Sequence, residues 1–214
     1  MEVQADRRDL PDDPRALQQA TPAKILLLPG EDHVAKTVRP RLDALGLDRE
    51  GRQRIAVASD PFNFTDEGLG MLAGTMAELQ PTLVVVDPLA VYIGGKVDMN
   101  RQNQVREFMG PLGKIAQEHN AAIALVHHAK KAQGGKAIHQ SLGSIDFVAA
   151  VRSVVGVYEY EGNVVMAHAK HNLSPRGATL AFSISDKGVR WLGPIQVTAD
   201  ELAFGPEAQE RRTL

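Results

Sequence analysis

Two apolar stretches decide how this chain folds: LVVVDPLAVYIGGKVD, residues Leu83–Asp98, and AAIALVHHAKK, residues Ala121–Lys131. Each is an almost continuous apolar run that ends abruptly in polar residues, as strands buried on both faces of a parallel sheet do. The first run ends in Asp87, and the second ends in His127 and His128. Because ligands of open α/β sheets bind at the carboxyl ends of the strands, these three side chains predict a binding site there.

The rest of the first half alternates between strand and helix patterns. KILLLPGED (Lys24–Asp32) and RIAVAS predict two further strands. Apolar residues at helical spacing predict helices over His33–Leu45, Gly68–Leu79 and Asn103–His119, and a short helix over Ser144–Val151. Pro40 is expected to interrupt or bend the first of these helices, and Pro111 to kink the third. This alternation predicts right-handed βαβ units and therefore an α/β fold.

The pattern then changes to hairpins. SVVGVYEY and VVMAHAKH flank one turn, and TLAFSIS and VRWLG flank another. The sheet is therefore expected to be parallel in its first part and antiparallel in its last part. Residues 1–22 predict a flexible polar segment, residues 23–204 the folded core, and residues 205–214 a polar tail.

The composition fits one globular cytoplasmic domain. At 214 residues and 43% hydrophobic content, the chain can bury a sizeable core. The net charge of -2 excludes a strongly basic nucleic-acid binder in bulk, and the absence of cysteine excludes disulfides and fits a reducing cytoplasm. The N-terminus shows no signal peptide. No apolar run approaches the roughly 20 residues of a membrane helix, so no membrane partner is expected.

Carboxylates follow two of the predicted strands. Asp87 could hold a water in the shell of a nucleotide-bound Mg²⁺, or it could simply begin the turn before Pro88. Glu31 could align a hydrolytic water as general base. Its neighbour Asp32 is assigned mainly to capping the helix that begins near His33.

The histidines allow three interpretations. In regular strand geometry only one of His127 and His128 faces a ligand, where it could sense a γ-phosphate. Zinc binding with His139, His168 or His171 is a rival, although no recognised ligand spacing is present. A hydrogen-bonded core histidine is the third alternative.

Cations lie in two later segments. Lys130, Lys131 and Lys136, in a glycine-containing loop, could contact nucleic-acid phosphates or could simply be solvated. Arg152 and Lys170 could reach the nucleotide of a neighbouring subunit, as an arginine finger does, or could be ordinary surface charges.

Together these segments resemble RecA-like ATPases of the hexameric replicative-helicase type, in particular the RepA-like group of AAA-type plasmid and phage ATPases. The resemblance runs from about Lys24 to Ile184. KILLLPGED followed by TVRPRLDALG resembles the strand with that family's catalytic glutamate, and LVVVDPLAVYIGG resembles its Walker B strand. The resemblance implies Glu31 as the base, Asp87 as the residue for Mg²⁺, and ATP as the nucleotide.

The later segments extend this resemblance. LVHHAKK resembles the histidine-bearing strand and DNA-facing loop, which implies a γ-phosphate sensor at His127 or His128. SLGSIDFVAAVRSV implies a trans-acting arginine at Arg152, and AHAKHNLSPRG implies Lys170 near the neighbouring nucleotide. The implied partners are further copies of the chain, with a hexameric ring as one form, and single-stranded DNA.

One family feature is missing from these 214 residues: no G-x-x-x-x-G-K-[ST] phosphate loop occurs. The expected fold is thus a RecA-like three-layer sandwich without its first strand and phosphate loop. Three explanations compete for the missing loop: the gene model begins too late, the gene is a decayed prophage gene, or the protein has adapted to non-catalytic assembly. The functional hypotheses are an ATPase domain of a plasmid or phage replicative helicase or of a DNA-repair ATPase, a non-hydrolysing assembly or DNA-binding module, and a metal hydrolase using the histidines.

Overall fold

The predicted strands of the first half form one parallel sheet. The computed structural model describes residues 23–94, 101–128, 145–185 and 188–204. The sheet contains β1 (Ile25–Pro29), β2 (Ile55–Val57), β3 (Leu83–Asp87) and β4 (Ala122–Leu125), in the order β2-β1-β3-β4. All four strands were predicted, and their parallel pairing confirms the α/β fold.

The helices lie close to their predicted positions. They are α1 (Arg39–Ala44), α2 (Arg49–Gln53), α3 (Asp66–Leu79), α4 (Leu89–Tyr92), α5 (Gln102–Glu118), α6 (Ile145–Ala150) and α7 (Ala199–Phe204). The short helices α2, α4 and α7 were not predicted, because four to six residues give too little periodicity to recognise.

The helix after β1 starts with an unusual turn. Val34–Val38 is π-helical, and the Val38 N–H donates to the His33 carbonyl at 3.3 Å. The backbone becomes α-helical at Arg39, which places Pro40 in the first α-helical turn. A proline is tolerated there because it lacks only an N–H that has no partner in that turn. Pro40 thus lies directly after the change of helix type and does not end the helix.

One face of the parallel sheet is covered by helices. Every second residue of β1 and β3 is buried there, namely Leu26, Leu28, Val84 and Val86. They pack against side chains of α3, α4 and α5, and against Phe147 of α6. This helical layer holds the main core of the described residues.

A meander of four antiparallel strands forms a second sheet. Its strands are β5 (Ser153–Tyr160), β6 (Asn163–His171), β7 (Thr179–Ser185) and β8 (Gly188–Ile195), in sequential order. Both predicted hairpins are confirmed. These strands were expected to continue the parallel sheet, but in the described residues they pair only with one another. Side chains of α6 connect the two cores instead, with Phe147 in the first and Val148 in the second.

Within the described part of the chain, the opposite face of each sheet is apolar and is not covered by a helix. On the parallel sheet, Ile25, Leu27 and Val85 are only half-buried, and Ala124 is exposed. On the antiparallel sheet, large apolar side chains are exposed: Val155, Val157, Ile184, Val189 and Trp191. Because α6 packs on the covered face of each sheet, these open faces both lie away from α6. We call them the open side.

Some predicted features lie outside the described residues. They are the segment 1–22, the basic loop with Lys130, Lys131 and Lys136, and the tail 205–214. Among the described helices, none has the length and apolar character needed to cross a membrane.

Candidate functional site

The carboxyl ends of the central strands bring the predicted residues to one edge of the sheet. Asp87 is the last residue of β3 and is in register with Pro29 of β1. Glu31 follows Pro29 by two residues. β4 ends at Leu125, which is in register with Val86, so His127 lies just beyond the same edge. The expected placement of Glu31, Asp87 and a histidine at one edge is confirmed; their chemical roles stay predictions.

Gly30 fixes the start of the Glu31 turn. Its N–H donates to the Asp87 carbonyl at 2.7 Å, which joins the ends of β1 and β3. A Cβ atom at this position would lie 2.7 Å from Val91 Cβ and 3.0 Å from Tyr92 Cε2. A glycine therefore lets the turn approach α4 closely.

The residues after Glu31 hold the turn from the other side. Arg41 Nη1 lies 2.6 Å from Asp32 Oδ2. His33 Nδ1 accepts hydrogen bonds from the Ala35 and Lys36 N–H groups at 3.2 and 3.3 Å. The assignment of Asp32 as the helix cap was therefore wrong. His33 directly precedes the first helical residue in extended conformation and caps the helix, while the Asp32 carboxylate pairs with Arg41.

Helix α1, which carries Arg41, is tied to α2 by a shared carboxylate. Asp43 accepts hydrogen bonds from Arg52 at 2.9 Å and from Arg39 at 3.1 Å. These bonds, chiefly the one from Arg52, hold the pKa of Asp43 below its usual value. The Glu31 turn is thus paired with α1, and α1 is itself held in place by its bonds to α2.

Below the edge, Tyr92 is buried next to Asp87. The Asp87–Pro88 peptide bond, which is cis, leads into α4. Tyr92 is 1% exposed and stacks on Phe64 with ring centroids 5.2 Å apart. Burial raises the pKa of Tyr92 to about 12, and the negative charge of Asp87 adds to the rise. Tyr92 therefore stays a neutral phenol; the sequence analysis did not identify it.

Both histidines lie beyond the end of β4, so strand alternation does not choose between them. His127 is half-buried, with its ring centroid 6.5 Å from that of Phe147. Its Nδ1 lies 2.7 Å from the His128 carbonyl. Because a carbonyl only accepts, Nδ1 carries the proton, and Nε2 can donate only in the imidazolium form. His128 is exposed.

The two predicted trans-acting cations lie together at the end of α6. Lys170 Nζ donates to the carbonyls of Val148 at 2.6 Å and Val151 at 2.7 Å, with a longer contact to Ala149 at 3.4 Å. Arg152 is exposed, and its side chain makes no hydrogen bond or ion pair with any described residue.

The zinc hypothesis gains no support from the described residues. No three metal-binding side chains lie together among them. His168 Nδ1 accepts from the Gly177 N–H at 3.1 Å, and His171 Nδ1 accepts from the Ser174 N–H at 3.0 Å. Burial lowers the pKa of His168, and the nearby His171 and Arg176 add to this. These two histidines shape a loop; His139 lies outside the described residues.

One further polar pair at the edge escaped the sequence analysis. Ser59 and Asp60 follow β2, with Ser59 Oγ 3.0 Å from Asp60 Oδ2. A sequence pattern that could have predicted this pair is RIAVASD, an apolar run that is followed by an acid, as the run before Asp87 is. Asp60 adds a third carboxylate beyond the strand ends.

The edge suits a hydrated divalent cation better than a bare phosphate. Carboxylate oxygens such as those of Asp87 and Glu31 are ligands that Mg²⁺ prefers, often through water. Triphosphate binding needs backbone N–H groups and a cation, which the phosphate loop supplies. That loop pattern is absent from the 214 residues.

The parallel sheet, followed by an antiparallel sheet, has the RecA-like α/β fold of the two solved structures described below. The AAA domain family (AAA_25) matches residues 8–134, more than half of the chain, and the chain belongs to this family. No curated protein matches the sequence closely enough to serve as a relative.

Two solved structures share the fold. The ATPase domain of G40P has a TM-score of 0.59 and 16% identity, over 81% of this chain and 75% of that chain. A KaiC-like protein of the hyperthermophilic archaeon Pyrococcus horikoshii OT3 has a TM-score of 0.55 and 17% identity, over 79% of this chain and 75% of that chain. At such identities the likeness concerns the fold alone.

Proposed function

We propose that this chain is the ATPase domain of a RepA-like plasmid or phage helicase, or of a related DNA-repair ATPase, and that it couples ATP hydrolysis to nucleic-acid binding. The observation that supports this most is the common edge at which Glu31, Asp87 and the pair His127–His128 lie. The three neighbouring strands β1, β3 and β4 end in parallel register at this edge, so the residues proposed as base, cation-holding carboxylate and phosphate sensor all lie there. Membership of the AAA domain family supports nucleotide chemistry at that edge.

The two carboxylates take different roles in this proposal. Asp87, half-buried at the end of β3, holds a water of the Mg²⁺ shell. Glu31 is exposed on a turn that is fixed on both sides, so it can orient the attacking water and accept its proton. When bound, Mg²⁺–ATP supplies the phosphoryl group that is transferred.

The imidazole contacts the γ-phosphate in this proposal. His128 is exposed and can donate in either protonation state, whereas His127 donates from Nε2 only as an imidazolium. We therefore favour His128 as the sensor, with His127 supporting the backbone after β4.

The remaining predicted site residues are cations, and we assign them to contacts with a neighbouring protomer and with single-stranded DNA. We assign Arg152 and Lys170 to the part of the domain that serves a neighbouring protomer in a homo-oligomer, with a hexameric ring as one form. Lys130, Lys131 and Lys136 are proposed to contact single-stranded DNA. The absence of cysteine fits a cytoplasmic site of action.

A non-hydrolysing assembly or DNA-binding module is the second candidate. Two observations favour it: the 214 residues contain no phosphate-loop pattern, and the open side leaves large apolar side chains of the parallel sheet half-buried and exposes those of the antiparallel sheet. Parallel sheets are normally covered on both faces. Under the first proposal, that cover comes from a segment that also carries the phosphate loop; under the second, it comes from a partner.

The 214-residue chain itself provides the first test. Without a phosphate loop, we expect weak ATP binding and negligible turnover. Calorimetry with Mg²⁺–ATP and an assay of phosphate release check this. Micromolar binding with steady turnover would show that other residues bind the triphosphate, and it would overturn the assigned role of the missing loop.

The coding sequence upstream of Met1 separates the two candidates. An in-frame Gly-Lys-Thr or Gly-Lys-Ser favours the ATPase. In a protein extended through that loop, Glu31→Gln should abolish turnover and leave ATP binding intact. Retained turnover in that variant contradicts the role of Glu31, and the absence of any upstream loop favours the assembly module.

The trans role has its own test in the extended protein. Arg152→Ala and Glu31→Ala variants are mixed under conditions in which subunits exchange. Some interfaces then regain an intact Glu31 on one side and an intact Arg152 on the other, so activity should exceed that of either variant alone. If confirmed mixed oligomers show no rescue, Arg152 does not act in trans.

A further inference from the structure

The side chain of Lys170 is fully engaged within its own chain. An ammonium group has three N–H donors and no acceptor. All three point at carbonyls near the end of α6, those of Val148, Ala149 and Val151. The last carbonyls of a helix lack intrahelical partners, and the helix dipole favours a cation there. Lys170, half-buried on β6, therefore caps a helix that lies about twenty residues earlier in the sequence.

The capped segment leads directly into Arg152. The Val151 carbonyl accepts from Lys170, and the Arg152 carbonyl accepts from the Asn172 N–H at 3.1 Å. The backbone is thus held immediately before and at Arg152, both times by the end of β6. The Arg152 side chain is exposed and has no partner among the described residues. The fixed backbone therefore sets the point from which the exposed guanidinium can reach a group outside the described residues.

We propose that Lys170 is a positioning residue for Arg152 and does not itself contact a neighbour's nucleotide. To reach a neighbouring protomer, Lys170 would have to give up three hydrogen bonds to otherwise unpaired carbonyls, each costly to leave unmade in a part-buried place. This inference rests on the role proposed for Arg152. The two cations therefore have different roles: Lys170 holds the end of α6, and Arg152 contacts the nucleotide of the neighbouring protomer.

The structural part is testable in the 214-residue chain. We expect Lys170→Met to raise amide hydrogen exchange in residues 148–153 by about tenfold or more, because local opening no longer breaks those bonds. Amides of β1 and β3 should keep their protection. The matched control is Lys114→Met, since Lys114 makes only an exposed pair with Glu118 at 3.7 Å and should change nothing nearby. Lys170→Arg, which keeps charge and donors, should retain part of the protection and serves if Lys170→Met fails to fold. Unchanged exchange in residues 148–153 would overturn the inference.

The functional part uses a double-mutant cycle in the extended, ATP-hydrolysing protein. Lys170→Ala should lower turnover strongly in the wild-type background but hardly at all in the Arg152→Ala background, and ATP affinity should stay the same in both. Losses that multiply, or weaker ATP binding in Lys170→Ala, show that Lys170 acts on the nucleotide and sink the inference while the proposed function stands. If Arg152→Ala alone leaves turnover intact, the proposed role of Arg152 fails as well.

Discussion

Glu31 and Arg152 are both exposed charges on a restrained backbone, but the restraints differ. The Glu31 turn is held by several independent contacts: the Gly30 bond to Asp87, the Asp32–Arg41 pair and the His33 cap. At the Arg152 junction one side chain, that of Lys170, makes all the side-chain contacts, beside one backbone bond from the Asn172 N–H to the Arg152 carbonyl. Both lie beside a helix end, where unpaired backbone groups need partners.

The two sets of restraints should respond differently to a single substitution. Contacts that are spread over several residues fail one at a time, so a single substitution should loosen the Glu31 turn only in part. When one side chain makes several of the restraining bonds, replacing that side chain removes all of them together. Single substitutions should therefore have graded effects at the Glu31 turn, whereas at the Arg152 junction one substitution, that of Lys170, should have a large effect.

The largest effect is expected at the concentrated restraint. Lys170→Met leaves carbonyls unpaired in a part-buried place, and we expect the free energy of unfolding to fall by about 1.5–3 kcal/mol, the range for a hydrogen bond to a charged group. Urea denaturation measures it, with Lys114→Met as the surface control. A loss no larger than that of the control would remove the contrast between the two regions.

Next in size is a steric change at the Glu31 turn. Gly30→Ala places a Cβ 2.7 Å from Val91 Cβ, so α4 or the turn must shift. Overpacking of this kind costs about 1–3 kcal/mol. Gly74→Ala is the matched control: it lies in α3 with open space around it and should gain about 0.5–1 kcal/mol, because alanine favours helix more than glycine does. Equal changes in the free energy of unfolding for Gly30→Ala and Gly74→Ala would show that α4 can move aside at no measurable cost.

A smaller loss is expected from the helix cap. His33→Ala removes the acceptor for the Ala35 and Lys36 N–H groups and should cost about 1 kcal/mol, the usual value of an N-cap. His33→Asn, which can accept the same bonds, should restore most of it. Thermal unfolding of the three proteins gives the comparison. If the asparagine variant is as unstable as the alanine variant, the imidazole stabilises the turn by packing and not by capping.

The smallest effect is expected at the ion pair. Asp32 and Arg41 are exposed enough that their coupling should be only about 0.2–1 kcal/mol and should shrink with added salt. A double-mutant cycle with Asp32→Asn and Arg41→Gln, measured at low and high salt, isolates the coupling. A coupling well above this range would make the pair a dominant restraint, and the turn would then resemble the Arg152 junction.

The sequence predicts the parts of the fold that local pattern controls. The apolar runs at Leu83 and Ala121 locate β3 and β4, and the polar residues that end them mark the edge of the sheet. The two hairpins follow from their turn residues. Each of these features lies within a few residues of its signal, so no tertiary information is needed.

The missed features depend on contacts between distant residues. Lys170 reaches carbonyls 19 to 22 residues away, and no local pattern predicts such a cap. His33 caps the helix and Asp32 pairs with Arg41, and only the folded turn shows this division. The division into two sheets depends on how α6 packs on both cores, and apolar periodicity does not encode it.

The meander of β5 to β8 has a consequence for the order of folding. Each strand pairs with the next one in sequence, whereas the parallel order β2-β1-β3-β4 requires crossovers through helices. Local pairing closes short loops and forms quickly; non-local pairing is slower. The sole tryptophan, Trp191, lies on β8 with its ring centroid 5.2 Å from that of Phe182. During refolding, its fluorescence should therefore reach the native value before the parallel sheet gains protection from exchange.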